Sequence, residues 1–236
     1  MQSTLFEIPE ELAQPKWGEM AVSLSFDETA IIAWIMRLHN NDNAFDVDLT
    51  YSTGRLWANI PRPIITMDIS KDSMASVLAD SRAIPLKDMS VGSIFFDPPF
   101  VVAPSCKPGI IRDRFSCYKN VQQLWAFYKE TIIECYRVLH DGGIAVMKCQ
   151  DIVSSGKNWD SHFEAMSYFK VTGFIFKDLF VLGRSNILWS PNMQNQQHAR
   201  KNHCYYLVFK KPPHNKSLNP TPNSAPIEGG ASLESE

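Results

Sequence analysis

Val91-Gly92-Ser93-Ile94-Phe95-Phe96-Asp97-Pro98-Pro99-Phe100 is the stretch on which the reading of this chain turns. Val91 to Phe96 predicts a buried strand, and Asp97-Pro98-Pro99 stops it, because proline has no N–H for the ladder and fixes its own φ. An acid, two prolines and an aromatic ring then stand together where a strand ends. A strand-ending turn alone would also use Asp-Pro. With proline near 5% of residues, however, such a string arises by chance in only about one chain of this size in a hundred.

Working upstream, other acids recur at or just beyond predicted strand ends. Ala44 to Leu49 and Pro63 to Asp68 read as short strands, so Asp48, Asp68 and Asp97 close successive strands, with Asp80 in the loop between the last two. The turn Asp48-Leu49-Thr50-Tyr51-Ser52-Thr53-Gly54 carries small residues where backbone has to approach a ligand. Asp68 follows Asp48 at the distance where, in a βαβ unit, an acid meets the two hydroxyls of a ribose. Strand-end aspartates are also common as helix caps, and one glycine is not a G-x-G-x-x-G run. Further upstream, Ser25-Phe26-Asp27-Glu28 has the spacing of a capping box, with Ser25 as cap of a helix running through Met36.

Downstream, Val121 to Leu139 has helical spacing, and Gly142-Gly143 is expected to separate it from a strand over Ile144 to Lys148. A helix over Asp160 to Thr172 and strands near Phe174 to Leu182 and Cys204 to Phe209 complete the pattern. Strands alternating with helices predict an α/β fold, a mostly parallel sheet with helices on both faces, and ligands at the carboxyl ends of the strands. The expected organisation is an N-terminal extension over residues 1–43 with one capped helix, a main domain over 44–211, and a disordered tail over 212–236 rich in Pro, Asn, Ser and Gly.

The formal net charge of −2 names no partner, but its distribution is uneven. From Arg184 to Lys211 there is no acid, while Arg184, Arg200, Lys201, Lys210 and Lys211 are basic, and Lys107, Arg112, Arg114 and Lys119 enrich an earlier loop. Lys107, Arg112, Arg114, Arg200 and Lys201 are candidate phosphate contacts, although charge runs are often only solvated loops. The five cysteines show no C-x-x-C spacing, which suits a reducing cytoplasm and no disulfide framework. His198, His203 and Cys204 fit no common zinc spacing, so no metal is expected. Neither a membrane span nor a signal peptide is expected.

An aromatic amine is a poor nucleophile, because its lone pair is delocalised into the ring. The Asp97 side chain and the Pro98 carbonyl can each accept one of its N–H groups, favouring a pyramidal nitrogen whose lone pair points at a methyl sulfonium. The prolines stiffen both acceptors, and Phe100 offers a face for an unstacked base. These residues resemble the N6-adenine and N4-cytosine amino-methyltransferases, whose motif is D/N/S-P-P-F/Y/W, and the closing His198 to His203 and Tyr205 to Phe209 resemble small bacterial and phage DNA methylase-like proteins.

The resemblance covers roughly residues 44 to 211. It implies a Rossmann-like class I methyltransferase fold with S-adenosyl-L-methionine as cofactor. Asp48 and Gly54 match the ends of the family's first cofactor motif, with Thr50 and Ser52 between them. Asp68 matches its ribose-binding acid, and Asp80 the acid beside the cofactor's adenine. Asp97, Pro98, Pro99 and Phe100 match the catalytic loop. An aspartate at the head of the proline pair favours adenine N6 in DNA. The same chemistry on RNA or on cytosine N4, and a catalytically silent nucleic-acid-binding subunit, are the alternatives. No separate target-recognition domain fits, so recognition falls to the loops 101–120 and 184–202, to a partner subunit or to a homodimer.

Overall fold

In a computed structural model the residues described are 20–40, 44–102, 118–185 and 197–213. In chain order the elements are β1 (Leu24–Ser25), α1 (Glu28–Ile35), which runs on into a π-helical turn over Met36–Asn40, β2 (Val47–Asp48), a 3-10 turn (Arg55–Trp57), β3 (Ile65–Asp68), β4 (Val77–Leu78) and β5 (Val91–Phe96). Then come α2 (Val121–Val138), β6 (Leu139–Cys149), the hairpin β7 (Ile152–Ser154) and β8 (Lys157–Trp159), α3 (Ser161–Thr172), β9 (Ile175–Gly183) and β10 (His203–Lys210).

The main sheet runs β1-β9-β10-β6-β5-β2-β3-β4, with only β10 antiparallel to its neighbours. Strand order reverses between β5 and β2, and an α/β sheet opens its ligand crevice at such a switch point. The expected fold is therefore found: a Rossmann-like, mostly parallel sheet covered on both faces. Pleating sorts the side chains. In β6, Ala145, Met147 and Cys149 enter a core closed by Leu124, Tyr128 and Ile132 of α2 and Phe169 of α3. Ile144 and Val146 enter the opposite core, closed by Ile31, Ile32, Trp34 and Ile35 of α1 and by Trp57. No described helix is long and apolar enough to cross a membrane.

The structure changes several expectations. Ser25 does not cap α1; it ends β1, and its hydroxyl accepts from the Asp27 N–H at 3.0 Å. Asp27 is the cap, accepting from the Thr29 and Ala30 amides at 2.8 and 3.3 Å, which makes Glu28 the first helical residue and frees its carboxylate for other work. Of the segment read as an extension, the described part is joined to the rest: β1 pairs with β9 and α1 closes a core.

The alternation of strands with helices fails between β2 and β5, where a single 3-10 turn is the only helical element among the described residues. Short polar side chains there take up backbone groups that a helix would need: Thr50 and Ser70 amides donate to Asp48 and Asp68, and the Ser76 amide to the Thr66 hydroxyl. Gly142 and Gly143 do not precede β6 but lie within it, at a bulge where the register against β5 shifts. A side chain on Gly143 would stand 2.9 Å from the Gly92 carbonyl oxygen. The tail after residue 213 and the basic residues Lys107, Arg112 and Arg114 lie outside the described residues.

Candidate active site

A cleft of about 780 Å³ opens at the carboxyl ends of β2, β3, β5 and β6. It gathers nearly all of the expected cofactor and catalytic residues: Asp48, Thr50, Ser52, Asp68 and Asp80 on one wall, and Asp97, Pro98, Pro99 and Phe100 on the other. Gly54 is the exception, since it does not line the cleft. Its φ of +69° and the Tyr51 ring against its α-carbon require glycine there, so it shapes the loop from behind.

The first wall is made by carboxylates that fold their own loops. Asp48 is buried; one oxygen accepts from the Thr50 amide at 2.9 Å and the other from the Trp57 indole N–H at 2.7 Å. Burial dominates its chemistry and pushes its carboxyl up to about 7, against the pull of those two donors. Asp68 accepts from the Ser52 amide at 2.8 Å and from the Ser70 amide at 2.8 Å, which ties the β2 loop to the β3 loop. Asp80 is gripped by Arg82, whose Nη2 stands 2.7 Å away and holds the carboxyl below its ordinary range. Asp48 and Asp68, both expected as ligand contacts, thus also carry the architecture of the loops around them.

The second wall is held from several elements. The Asp97 N–H donates to the Thr50 hydroxyl at 2.9 Å, fastening the proline loop to the first wall. The Tyr128 hydroxyl donates to the Pro99 carbonyl at 3.1 Å from beneath. Asp97 itself lies beside Lys148, with Nζ 3.1 Å from Oδ2, and Lys148 is also 2.6 Å from Glu28. The Tyr206 hydroxyl donates to Glu28, and the Lys148 ammonium lies 5.8 Å from the Tyr206 ring centre.

Register accounts for this row. Lys148 pairs with Tyr206 across β6 and β10, and Phe96 pairs with Met147 across β5 and β6, so Asp97, Lys148 and Tyr206 line up on the α1 face, where Glu28 begins the helix. Burial pushes Asp97 upward and Lys148 draws it back, whereas Lys148 is held well above its ordinary value because its two carboxylates outweigh burial.

Lys148, Glu28 and Arg184, which also lines the cleft, are the residues that sequence reasoning missed. A lysine closing the apolar run Ile144-Ala145-Val146-Met147 was the available signal for Lys148. Arg200 and Lys201 border a second hollow of about 550 Å³, separated from the cleft by Phe100 and Val101, which line both.

A family model described as DNA methylase, taking in N6 and N4 enzymes, matches residues 91–232, more than half of the chain. The chain belongs to that DNA methylase family. The match begins at β5, so it holds the proline loop and every described element after it, while the first wall of the cleft lies before it. No curated protein sequence matches.

Among solved structures, one similar in shape is a Thermus thermophilus protein assigned as a DNA modification methylase and crystallised with S-adenosyl-L-methionine, at 18% identity and a TM-score of 0.42, covering 60% of this chain and 57% of that one. The DNA methylase chain described here therefore spans a little over half the length of that structure. Another is a SAM-dependent methyltransferase from Methanosarcina mazei, at 9% identity and a TM-score of 0.47, covering 75% of this chain and 97% of that one.

Proposed function

We propose that this DNA methylase transfers a methyl group from S-adenosyl-L-methionine to the exocyclic amine of a nucleic-acid base, adenine N6 in DNA. The observation that carries the reading is the meeting of Asp97-Pro98-Pro99-Phe100 with Asp48, Asp68 and Asp80 in one cleft. Its carboxylates suit a nucleoside that bears a cationic sulfur and two ribose hydroxyls, so the residues present fit the cofactor. Asp68 is the acceptor for the ribose hydroxyls, and Thr50, Ser52 and Asp80 face the remainder. When bound, the cofactor supplies a methyl group already activated by positive sulfur.

The protein's part is then orientation and placed dipoles. Asp97 and the Pro98 carbonyl each accept an N–H of the target amine, and the nitrogen lone pair is left aimed at the methyl carbon. The methyl carbon comes from the cofactor, and the proton that the amine loses as the N–C bond forms leaves along its hydrogen bond to the Asp97 carboxylate and on to solvent. A base in a duplex cannot present its amine this way, so the target is turned out of its stack and lies against Phe100. Arg200 and Lys201, on the far side of Phe100, contact the phosphates of the strand that carries it. Lys107, Arg112 and Arg114 are proposed for the same role on the strength of sequence.

Incubation with methyl-labelled S-adenosyl-L-methionine tests the reading. Label should enter DNA in preference to RNA. Label in RNA alone changes the substrate class, and label in neither refutes transferase activity.

A further inference from the structure

The Lys148–Glu28 pair belongs neither to the cofactor wall nor to the proline motif, yet its ammonium meets the catalytic carboxylate. Resting on the function proposed above, we infer that Lys148, clamped by Glu28, is a positioning residue for Asp97: it holds Oδ2 and leaves Oδ1 as the oxygen that accepts the target amine. The geometry is a row of four side chains on one face. Glu28 is 2.6 Å from the ammonium, Asp97 Oδ2 is 3.1 Å away, and the buried Tyr206 donates to Glu28 and lies beside the ammonium.

A carboxylate free to rotate about its last torsion could offer either oxygen. Donation from a lysine whose side chain is 7% exposed removes that freedom. A buried lysine with two carboxylates stays charged, so it cannot take a proton from the amine; its contribution is fixed charge and fixed direction. A helix N-terminus outside the sheet thereby reaches the reacting group through one lysine.

The charges are opposed in a way that a plain tether would not need. Lys148 stabilises ionised Asp97, and Glu28 destabilises it. The other groups whose charge bears on Asp97 are Arg184 beyond β9, Asp48 on β2, Tyr128 on α2, Tyr206 and Cys204 on β10, and Cys149 on β6. The tyrosines and cysteines are all pushed upward by burial and stay neutral near pH 7. Asp48 titrates near 7 but is common to every variant below, so it cancels in their comparison.

The experiment is a pair of variants read by single-turnover methylation between pH 5 and 9 and by carbon NMR of the Asp97 carboxyl without substrate. Lys148→Met should slow transfer at neutral pH by up to about 100-fold with cofactor affinity unchanged, as expected of a misdirected reacting group. Its acid limb and the Asp97 titration should move up by about one pH unit or more, the loss of an adjacent opposite charge. Glu28→Gln should move both the other way, and Lys148→Arg should recover part of the rate.

A melting curve separates misfolding from these effects, and opposite shifts in two variants of one cluster are not a signature of general damage. If the parent methylates but the variants shift together, or not at all, the positioning role is wrong while the proposed function stands. If the parent does not methylate, the NMR titration still decides: Asp97 unmoved in both variants overturns the inference.

Discussion

The two walls of the cleft solve the same problem, holding aspartates at strand ends, by different means. On the β2–β3 side the carboxylates are held by backbone amides and an indole: Asp48 by Thr50 and Trp57, Asp68 by Ser52 and Ser70. On the β5–β6 side Asp97 is held by a buried lysine that shares its charge with Glu28. These donors all come from the β2 and β3 loops themselves, so the first wall is built from contacts close along the chain. The lysine joins three strands and a helix, so the second wall depends on register set far along the chain. Under the proposed function, an acid that only has to receive hydroxyls tolerates the first arrangement, and one whose oxygen must meet a nucleophile in a single direction gains from the second.

Substitutions separate the walls, beginning with the largest effect. Asp97→Ala should lower the methylation rate at least about 100-fold, the scale for losing a placed transition-state dipole, while cofactor affinity measured by calorimetry stays near the parent value. Asp68→Ala should do the reverse, weakening cofactor binding by about 1.5–3 kcal/mol, the worth of a hydrogen bond to a charged group. If both variants lose both properties, the walls are not separable and the comparison fails.

Asp48 sharpens it through pH. Its folded carboxyl titrates near 7 against an ordinary 3.8, so between those values the folded state holds a proton that the unfolded state has released. Stability therefore falls as pH rises through that window, by up to about 1.4 kcal/mol per pH unit from this group. Asp48→Asn should flatten the slope in denaturant titrations run across the window; an unchanged slope would assign it to other groups. The smallest effect belongs to neither wall: alanine at Arg200 and Lys201 should weaken DNA binding alike across sequences and flatten its salt dependence by about one unit of slope per lost contact.

The second wall was the more legible in sequence, and for a physical reason. Asp97 to Phe100 is a contiguous string whose residue types are dictated by one task, and Val91 to Phe96 is observed as the strand expected. Asp48 and Asp68, which share the cleft with Asp97, were legible because strand ends can be read from where apolar runs stop, and Asp80 was placed in the loop beyond them. Lys148 and Glu28 were not. Their roles depend on β6 pairing with both β5 and β10, and pairing partners leave no local mark. Glu28 was assigned to a capping box with Ser25, three residues back, when its partner lies on the sheet. The segment between β2 and β5, for which the sequence showed turns and loops but no helical spacing, carries only a 3-10 turn, and its serines and aspartates compete for the backbone.

The most direct test of the account is the identity of the methylated nucleoside. DNA labelled by the protein with S-adenosyl-L-methionine, digested and resolved, should yield N6-methyladenine, with the yield abolished in Asp97→Ala. N4-methylcytosine would keep the mechanism and change the base. Methylation at a ring carbon such as cytosine C5 would contradict it, because that chemistry needs a nucleophile such as a cysteine thiolate, and among the described residues lining the cleft there is no cysteine.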